Sequence, residues 1–417
     1  MTTDVPSVLL AGFDLWPGPS AWARRVTEGV RAGTNRHRVL TLSLRGPALA
    51  HSESLLGARA LRVPPGAGSL LEQVEAFGRA VHRQLDSEAH ALVHTADPLV
   101  GAAVLAHARR PVLLYEARRL PSSELPMLLG RGGERQALQE ALRRGERRCL
   151  READAVVVTT RARAEEVRSL GCAGPVHLVP DGVEPRDPVS RAPGALRIRH
   201  LGWELSSGAL RVLLDAVRVL GREGRLHLVQ PPGRGWDGAL QREVSMAARH
   251  GALTSGPPGA VSEAWADVEV LSGVGPDARA PAALADALEA YARGRTVLAA
   301  DSEAARADLP AGCTVFFPGP DGCALGEALL ALATTPDLLR RSGEEARAYA
   351  ERRHDATRVR GLLRDLYRQH GAAPTVPRPG AGAPLPPFSP VWSGPLRAPD
   401  GGAPEATDPG TPSGSFG

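Results

Sequence analysis

Lysine is absent from this sequence of 417 residues, and arginine alone supplies its 50 basic side chains. Isoleucine is almost absent as well, since Ile198 is the single one. We attribute both gaps to a GC-rich coding sequence. The net charge is only +4, so electrostatics does not require a nucleic-acid partner and we predict none. A basic isoelectric point still permits contact with an anionic membrane surface.

Cysteine is scarce, and its four positions are scattered without C-x-x-C spacing: Cys149, Cys172, Cys313 and Cys323. Such a pattern does not form a disulfide framework or a metal site. It is typical of small apolar side chains in a reducing cytosol. The sequence therefore predicts no metal and no disulfide.

Long apolar runs are also missing. No uncharged apolar stretch approaches the roughly 20 residues of a membrane-spanning helix. The first residues, M-T-T-D-V-P-S, have no positive flank and precede an apolar run of only four residues, which is not the pattern of a signal peptide. These absences predict a cytoplasmic enzyme or enzyme-like protein.

The length of the chain suits two domains and an extension. Residues 371–417 are dense in proline, glycine, alanine and serine, with few side chains able to build a core, and we predict that they are disordered.

The most informative stretch lies between Ala153 and Val183. Ala155 to Thr159 is a continuous apolar and β-branched run, which predicts a buried parallel strand. A short helix from Arg163 to Leu170 and a second strand from Val176 to Val179 follow, and the strand runs into the turn Pro180-Asp181-Gly182. Together they predict a right-handed βαβ unit.

This stretch also carries a resemblance. An alanine–aspartate pair before a valine-rich strand, then a helix, then V-P-D-G-V, is similar to the end of the N-terminal domain in family 4 glycosyltransferases. The resemblance spans about Val8 to Gln369. It implies an α/β fold in which two Rossmann-like domains face each other across a cleft, the GT-B type.

On this resemblance the chain divides into five parts: an acceptor-side domain over residues 1–184, a linker over 185–194, a nucleotide-sugar-binding domain over 195–354, a closing helix over 355–370 that crosses back to the first domain, and the tail. The linker is supported independently, because Pro185, Pro188 and Pro193 prevent a regular hydrogen-bond ladder.

Hydrophobic periodicity predicts the remaining elements. The predicted strands are Ser7–Ala11, Arg38–Leu44, Leu92–Thr95, Val112–Tyr115, Leu196–Leu201, Arg225–Gln230, Val268–Leu271 and Thr314–Phe317. The predicted helices are Ala21–Arg31, Leu71–Leu85, Glu134–Ala153, a helix after Gly208, Trp236–His250, Cys323–Ala333, Pro336–Arg352 and Thr357–Gln369.

In the first half, the resemblance points to three places. The loop after the first strand contains Gly18, and its Ser20-Ala21 pair stands where the family has adjacent glycines that approach the donor phosphate. His94 matches the first histidine of an H-x-H motif near the acceptor, and it is either catalytic or a structural residue at a strand end. Arg118 lies in Y-E-A-R-R-L, which looks like a family segment.

Arg118 and its neighbour Arg119 have two interpretations of about equal weight. They grip a phosphate or an acidic sugar with a bidentate fork, or they form a surface salt bridge to Glu116 or Glu124. We include Arg118 with His94 as a candidate catalytic residue.

In the second half, the family's turn G-R-L-x-x-x-K-G corresponds to Gly202 through Gly208, which is one residue shorter, with Trp203 in place of the arginine and Ser207 in place of the lysine. The family's two donor-binding glutamates correspond to Pro281 and Glu289.

Glu289 either holds the donor ribose or pairs with Arg293 on its own helix. Asp277 or Arg279, on the preceding loop, is a candidate contact to the sugar. The resemblance thus implies a donor site formed by Gly18, Ser20, Gly202, Ser207, Gly208, Asp277, Arg279 and Glu289.

The first hypothesis is therefore a retaining glycosyltransferase that uses a nucleotide-sugar donor and a glycan or lipid-linked acceptor, without metal or cofactor, in polysaccharide or glycolipid assembly. Arg24, Arg118, Arg234 and Arg279 are candidates to replace the missing positive groups. The alternative is a degenerate member that binds a nucleotide, a glycan or a partner transferase without turnover. A sugar-nucleotide epimerase is a third hypothesis, less favoured by V-P-D-G-V and the closing helix.

The predicted helix from Glu134 to Ala153 has two interpretations. Its arginines form an ordinary solvated face, or they dock the protein on the anionic inner face of a membrane.

Overall fold

The computed structural model describes residues 6–18, 20–33, 37–46, 49–65, 69–118, 120, 133–188, 194–200, 207–229, 238–256, 265–271 and 283–371. These residues form two separate β-sheets with helices against them. The parallel strands are mostly continuous apolar runs, as expected for strands covered on both faces.

The first sheet has eight strands: β1 (Ser7–Leu15), β2 (Arg38–Leu44), β3 (Ser52–Leu55), β4 (Ala58–Val63), β5 (Leu92–Thr95), β6 (Val112–Glu116), β7 (Ala155–Val158) and β8 (Val176–Leu178). Their order across the sheet is β3-β4-β2-β1-β5-β6-β7-β8. All neighbours are parallel except β3 and β4, which form a hairpin. Its turn, Leu56-Gly57, has positive φ angles of 53° and 82°.

The second sheet has six strands: β9 (Leu196–His200), β10 (Gly224–Val229), β11 (Leu253–Gly256), β12 (Val268–Leu271), β13 (Thr296–Ala300) and β14 (Thr314–Phe317). They are all parallel, in the order β11-β10-β9-β12-β13-β14.

The described helices are α1 (Ala21–Gly33), α2 (Leu70–Ser87), α3 (Pro98–Ala106), α4 (Gly133–Glu152), α5 (Arg161–Ser169), α6 (Ser207–Leu220), α7 (Gly238–Arg249), α8 (Ala283–Ala292), α9 (Glu303–Asp308), α10 (Gly322–Thr334), α11 (Pro336–His354) and α12 (Ala356–Gly371). Several begin with a side-chain cap; Asp97, for example, accepts hydrogen bonds from the first N–H groups of α3.

The first sheet is covered on both faces. Helices α2, α3 and α4 pack on one face, whereas α1 and the final helix α12 pack on the other. Val359, Leu363 and Leu366 of α12 belong to the same core as the first-sheet residues Val8 and Leu10. The last helix of the chain therefore completes the core of the first sheet.

The second sheet is also sandwiched. Helices α6, α7 and α10 lie on one face, and α8 and α11 lie on the other. Gly343 lets α11 approach the chain before β13 closely, because a Cβ at this position would stand 2.1 Å from the carbonyl oxygen of Gly294.

The chain crosses between the two sheets twice, and the two crossing segments are hydrogen-bonded to each other at Val183. The Val183 N–H donates to the carbonyl of His354 over 2.7 Å, and the Ala356 N–H donates to the carbonyl of Val183 over 3.1 Å. Beside this point, the Glu184 carboxylate pairs with Arg31 of α1 at 2.6 Å and with Arg360 of α12 at 2.9 Å.

Nearly all predicted elements are present, with ends shifted by one to three residues. Strand β1 is the main exception: it continues to Leu15, whereas we predicted an end at Ala11. The sequence reasoning missed the β3–β4 hairpin, α3, β11, α9 and β13, and it placed Glu289 on a helix without giving the bounds of α8. The domain limits, including the linker and the disordered tail, stay predictions; residues 189–193 and 372–417 lie outside the described residues.

Candidate functional site

A small pocket is lined by elements that belong to both sheets. One side is formed by α1 and by the segment that follows β8, and the other side is formed by α8. Its lining residues are Arg24, Arg25, Glu28, Asp181, Gly182, Val183, Ala285, Leu288 and Glu289. Five charged side chains therefore converge on one cleft.

Glu289 lies in this pocket on the inner face of α8, and its side chain is 28% exposed. Its carboxylate accepts hydrogen bonds from Arg186, from Nε at 3.2 Å and from Nη2 at 3.5 Å. The described ion pair of Glu289 is therefore with the segment between the sheets. The sequence reasoning had considered only Arg293.

A buried carboxylate lies beside the pocket at the end of β6. Glu116 is fully buried and accepts hydrogen bonds from Arg25 Nε at 3.0 Å and from Arg118 Nη1 at 2.7 Å. Burial alone would raise the pKa of Glu116, but Arg25 and Arg118, together with His94, outweigh it and hold the pKa far below its usual range. Glu116 is therefore the ionised counter-charge of two arginines.

Asp181, in the turn after β8, is the second acceptor of this group. Its carboxylate lies 2.6 Å from Arg118 Nη2 and 3.7 Å from Arg25 Nη2. Burial raises the pKa of Asp181, yet the charges of Arg118 and Arg25 outweigh it, so the pKa lies below its ordinary value. Two arginines and two carboxylates thus form one neutral cluster, which connects α1, β6 and the turn of V-P-D-G-V.

His94 is fully buried at the end of β5, behind this cluster. Its Nδ1 shares a hydrogen bond of 3.0 Å with the Tyr367 hydroxyl of α12. Its Nε2 lies 3.1 Å from the Glu116 carboxylate, in an alignment that does not form a hydrogen bond. Trp22 and Tyr367 contact the imidazole edge-on, with ring centroids 5.5 and 5.8 Å away. In this arrangement His94 connects α12 to the charged cluster.

Arg118, the other candidate catalytic residue, is engaged with Glu116 and Asp181. A surface salt bridge to Glu116 or Glu124 was one of the two predicted interpretations of Arg118; the ion pair with Glu116 is present, but it is buried. The phosphate-gripping role stays a prediction, and Arg119 and Glu124 lie outside the described residues.

The predicted phosphate loop lies at the start of α1. The Ser20 hydroxyl accepts a hydrogen bond from the Ala23 N–H at 3.0 Å and donates to Asp14, so it caps α1. Gly18 is needed sterically, because a Cβ there would stand 2.5 Å from the carbonyl oxygen of Leu15. A second small cavity beside this loop is lined by Trp16 and Trp22.

The other predicted donor residues are only partly described. Gly208 is exposed in the first turn of α6. Ser207 begins that helix, with its side chain outside the description. Gly202, Trp203, Arg234, Asp277, Arg279 and Pro281 lie outside the described residues altogether.

Sequence reasoning missed three charged residues of the site: Arg25, Glu28 and Arg186. Arg25 follows the candidate residue Arg24. The spacing of apolar residues along the helix did not indicate which of these two side chains points toward the sheet. Glu28 lies one turn beyond Arg24 and Arg25 on the same helix, a spacing that could have suggested a shared face. Arg186 is in the predicted linker, where no pattern marks a contact.

Within the described part of the chain, no group of three or more His, Cys, Asp or Glu side chains could hold a metal ion. None of the described helices combines the length and the apolar composition of a membrane span. The pair Gly322–Thr334 and Pro336–His354 reaches that composition only jointly, across a bend of 99°.

Two Rossmann-like sheets with a cleft between them, and a final helix that returns to the first sheet, define the GT-B glycosyltransferase fold. The fold predicted from the sequence is therefore confirmed. Residues 18–182 match the family model of the glycosyl transferase 4-like domain.

Solved structures have the same fold at low sequence identity. Sucrose-phosphate synthase from Thermosynechococcus elongatus superposes with a TM-score of 0.69 at 20% identity, covering 87% of this chain and 98% of that chain. WaaG, a glycosyltransferase involved in lipopolysaccharide biosynthesis, gives a TM-score of 0.65 at 15% identity, over 88% of this chain and 100% of that one.

Anabaena HepE, solved in complex with UDP and glucose, gives a TM-score of 0.62 at 13% identity over 87% of this chain and 99% of its own. No curated protein matches the sequence.

Proposed function

We propose that this chain is a glycosyltransferase that moves a sugar from a nucleotide-sugar donor to a glycan or lipid-linked acceptor. The anomeric configuration is retained, and the product belongs to polysaccharide or cell-envelope glycan biosynthesis. The observation that carries this proposal is the position of Glu289, which lines a cleft contacted by elements of both sheets. On the family resemblance, this carboxylate holds the donor ribose.

The chemistry of sugar transfer supports the assignment of roles. The departing nucleoside diphosphate gains negative charge in the transition state and needs positive groups nearby. Arg24 and Arg25 lie in the same pocket as Glu289. The start of α1 adds the positive end of a helix beside Gly18 and Ser20. HepE, which shares the fold, was solved with UDP-glucose and supports a nucleotide-sugar donor. No metal or cofactor takes part in the proposed reaction.

A degenerate member that binds a nucleotide, a glycan or a partner transferase without turnover is the second candidate. Two observations favour it. Trp203, Ser207 and Pro281 are uncharged where the family has an arginine, a lysine and a glutamate. In addition, Arg25 and Arg186 are already engaged by the carboxylates of Glu116 and Glu289.

Turnover of UDP-glucose by the purified protein separates the two candidates. The measurement is UDP release, with and without a glycan acceptor, for the unmodified protein, for Glu289→Ala and for Glu327→Ala. Glu327 is exposed on α10 and serves as the matched control. We expect Glu289→Ala to lower turnover about tenfold or more, since a hydrogen bond to a charged group contributes about 1.5–3 kcal/mol.

Thermal stabilisation by UDP without any turnover supports the binding protein instead. If neither UDP nor UDP-glucose stabilises the protein or is consumed, the donor proposal is wrong for uridine nucleotides, and guanosine diphosphate is the next probe.

We also propose that the protein works in the cytoplasm and docks peripherally on the inner face of a membrane. Arg143, Arg144, Arg147 and Arg151 are exposed on α4. Arg144 and Arg147 share Glu140 at 3.5 and 4.0 Å. Sedimentation with anionic and with zwitterionic liposomes tests the idea. Binding that requires anionic lipid and weakens in salt supports the proposal. If the same amount of protein remains in the supernatant with anionic and with zwitterionic liposomes, the proposal is contradicted.

A further inference from the structure

Two histidines from distant parts of the chain face each other at the edge of the first sheet. His177 lies on the edge strand β8, and His370 lies in the last turn of α12, 193 residues further along the chain. Their Nε2 atoms are 3.2 Å apart. Both residues are partly exposed, so ions in solution can reach the pair. No sequence motif marks these positions, because they meet only in the fold.

The separation of the two nitrogens is that of neighbouring ligands on one metal ion. Zinc binds imidazole nitrogen at about 2.0–2.1 Å in tetrahedral geometry, which places two such ligands about 3.3–3.4 Å apart. The observed 3.2 Å lies close to this value. The ring centroids are 5.2 Å apart. Two imidazoles on one tetrahedral zinc ion have centroids about 5.2 Å apart, since each centroid lies roughly 1.2 Å behind its nitrogen.

The surroundings of the pair suit a cation. Asp154 supplies a negative charge that acts on His370, although its carboxylate is engaged by Arg110 at 3.2 Å and by the Leu113 N–H at 2.9 Å and is therefore not a ligand itself. Burial lowers the pKa of His177, and burial together with the neighbouring histidine lowers the pKa of His370. Neutral imidazoles, the form that binds metal ions, therefore predominate at pH 7.

A second pair of histidines provides a contrast. The rings of His82 and His107 are also close, with centroids 5.5 Å apart. However, His107 Nε2 is paired with Asp86 at 3.0 Å, and its Nδ1 accepts a hydrogen bond from the Arg109 N–H at 3.2 Å. His82 Nε2 contacts the carbonyl oxygen of Ala103 at 2.9 Å. These nitrogens are already used, whereas the two Nε2 atoms at the edge of the first sheet have only each other as hydrogen-bond partners among the described residues.

We propose that His177 and His370 bind a zinc ion through their Nε2 atoms, with water at the two remaining positions. Imidazole is a preferred ligand of zinc, whereas magnesium and calcium take oxygen ligands. Two protein ligands make a weaker site than the four of a structural zinc site. A bound ion ties the end of α12 to the edge of the first sheet and stabilises the folded chain by mass action. The proposal does not depend on the function proposed above.

Zinc binding to the full chain, prepared without a polyhistidine tag, tests the site. Equilibrium dialysis with metal analysis gives the Kd and the stoichiometry, and thermal denaturation with ZnCl₂ or MgCl₂ gives the stabilisation. We expect one zinc ion per chain and a rise in melting temperature with ZnCl₂ alone. We expect His177→Gln and His370→Gln each to raise the Kd about tenfold or more, since even the loss of a group that only orients a ligand costs about 10–100-fold in metal affinity.

The glutamine variants separate a metal site from a simple hydrogen bond between the rings. Glutamine can donate and accept a hydrogen bond at either position, but it does not replace an imidazole as a zinc ligand. His51→Gln, at an exposed single histidine, is the matched control and leaves zinc binding unchanged. NMR signals of the histidine rings give a readout that needs no variant, because zinc should shift the signals of two of the 12 histidines.

Three results would overturn the proposal. The first is that the unmodified protein neither binds zinc nor is stabilised by it. The second is that the unmodified protein, His177→Gln and His370→Gln bind zinc with the same Kd, which shows that the pair is only hydrogen-bonded. The third is that zinc binding is lost in His51→Gln and kept in the other two variants, which places the ion elsewhere.

Discussion

The side chain that organises the site is Glu116. It is fully buried at the end of β6 and neutralises Arg25 and Arg118, which approach it from α1 and from its own loop. Removing one partner of a buried ion pair leaves an uncompensated charge in a poorly solvated place, which costs more than the pair contributes. The shape of the pocket therefore depends on a residue that does not line it.

We expect Glu116→Gln to lower the free energy of unfolding by about 3–5 kcal/mol, because Arg25 loses its principal counter-charge. Urea denaturation followed by circular dichroism measures the change. Glu140→Gln, at an exposed pair on α4, is the control and changes stability by less than about 1 kcal/mol. A loss in Glu116→Gln as small as in the control contradicts the account.

Two buried histidines predict how stability depends on pH. Burial lowers the pKa of both His90 and His200 to about 4, from an ordinary value of 6.5. Because the folded protein binds these protons less readily than the unfolded chain, the stabilisation is present above pH 6.5 and is lost as the pH falls from 6.5 toward 4. For each histidine, the free energy of unfolding then falls by about 2 kcal/mol between pH 7 and pH 5.

We expect His90→Gln to remove its share of this loss. His90 contacts Ser7 and Gln84, at 2.9 and 3.2 Å, and glutamine offers both groups a neutral partner. Urea titrations at pH 7 and pH 5 compare the variant with the unmodified protein. An identical loss in both proteins shows that His90 does not titrate in this way.

At the scale of elements, close approach between helix and sheet depends on particular glycines. Gly343 of α11 lies against the carbonyl of Gly294, with no room for a methyl group. Gly361 of α12, in contrast, has open space where its Cβ would be. Packing therefore requires glycine at position 343 but not at position 361.

We predict opposite effects for the same substitution at these two positions. Gly343→Ala destabilises the protein by about 1–3 kcal/mol, because backbone cannot move aside as a flexible side chain can. Gly361→Ala stabilises it by about 0.5–1 kcal/mol, because alanine has the higher helix propensity. Thermal denaturation of the pair gives the sign of each change, and two changes of the same sign would be incompatible with the packing.

Elements with a strong local signal could be predicted from the sequence. The predicted boundaries of β7, α5 and β8 all lie within two residues of the observed ones. The reason is that both strands are continuous apolar runs and that Gly171, at a φ of +85°, follows the end of the helix. Helix α3 was missed although Asp97-Pro98 is a good start signal. Strand β3 is short and mostly exposed, and the buried positions of β4 are Ala58, Ala60 and Arg62, whose side chains give little hydrophobic alternation to detect.

The charged cluster could not be predicted in the same way. Arg25 and Glu116 are 91 residues apart, and Arg118 and Asp181 are 63 apart. Which strand ends lie side by side is decided by the order of the sheet, and no local pattern encodes it. The resemblance located Glu289, but its contact with Arg186 depends on the path of the segment between the sheets.

At the scale of the whole molecule, the final helix belongs to the core of the first sheet. Val359, Leu363, Leu366 and Tyr367 are at most 4% exposed there. Without them, the apolar face that includes Leu10 and Leu114 would be open to water.

We expect a chain that ends at residue 371 to keep the melting temperature of the full chain, because all described contacts are retained. A chain that ends at residue 354 loses α12, and we expect it to bind a dye for exposed apolar surface and to aggregate. Light scattering and dye fluorescence on the two truncations measure the difference. A folded, monodisperse shorter chain would contradict the role of the helix.

The hydrogen bonds of Val183 limit how the molecule can open. The segment that leaves the first sheet and the segment that returns to it are hydrogen-bonded to each other at this residue. A rotation of one sheet relative to the other about Val183 would keep both hydrogen bonds, whereas a sliding motion would break them. Residues next to Val183, such as Asp181 and Gly182, would move little during such a rotation. A rotation of the second sheet about Val183 would change the distance between the Glu289 carboxylate on α8 and Arg25 on α1.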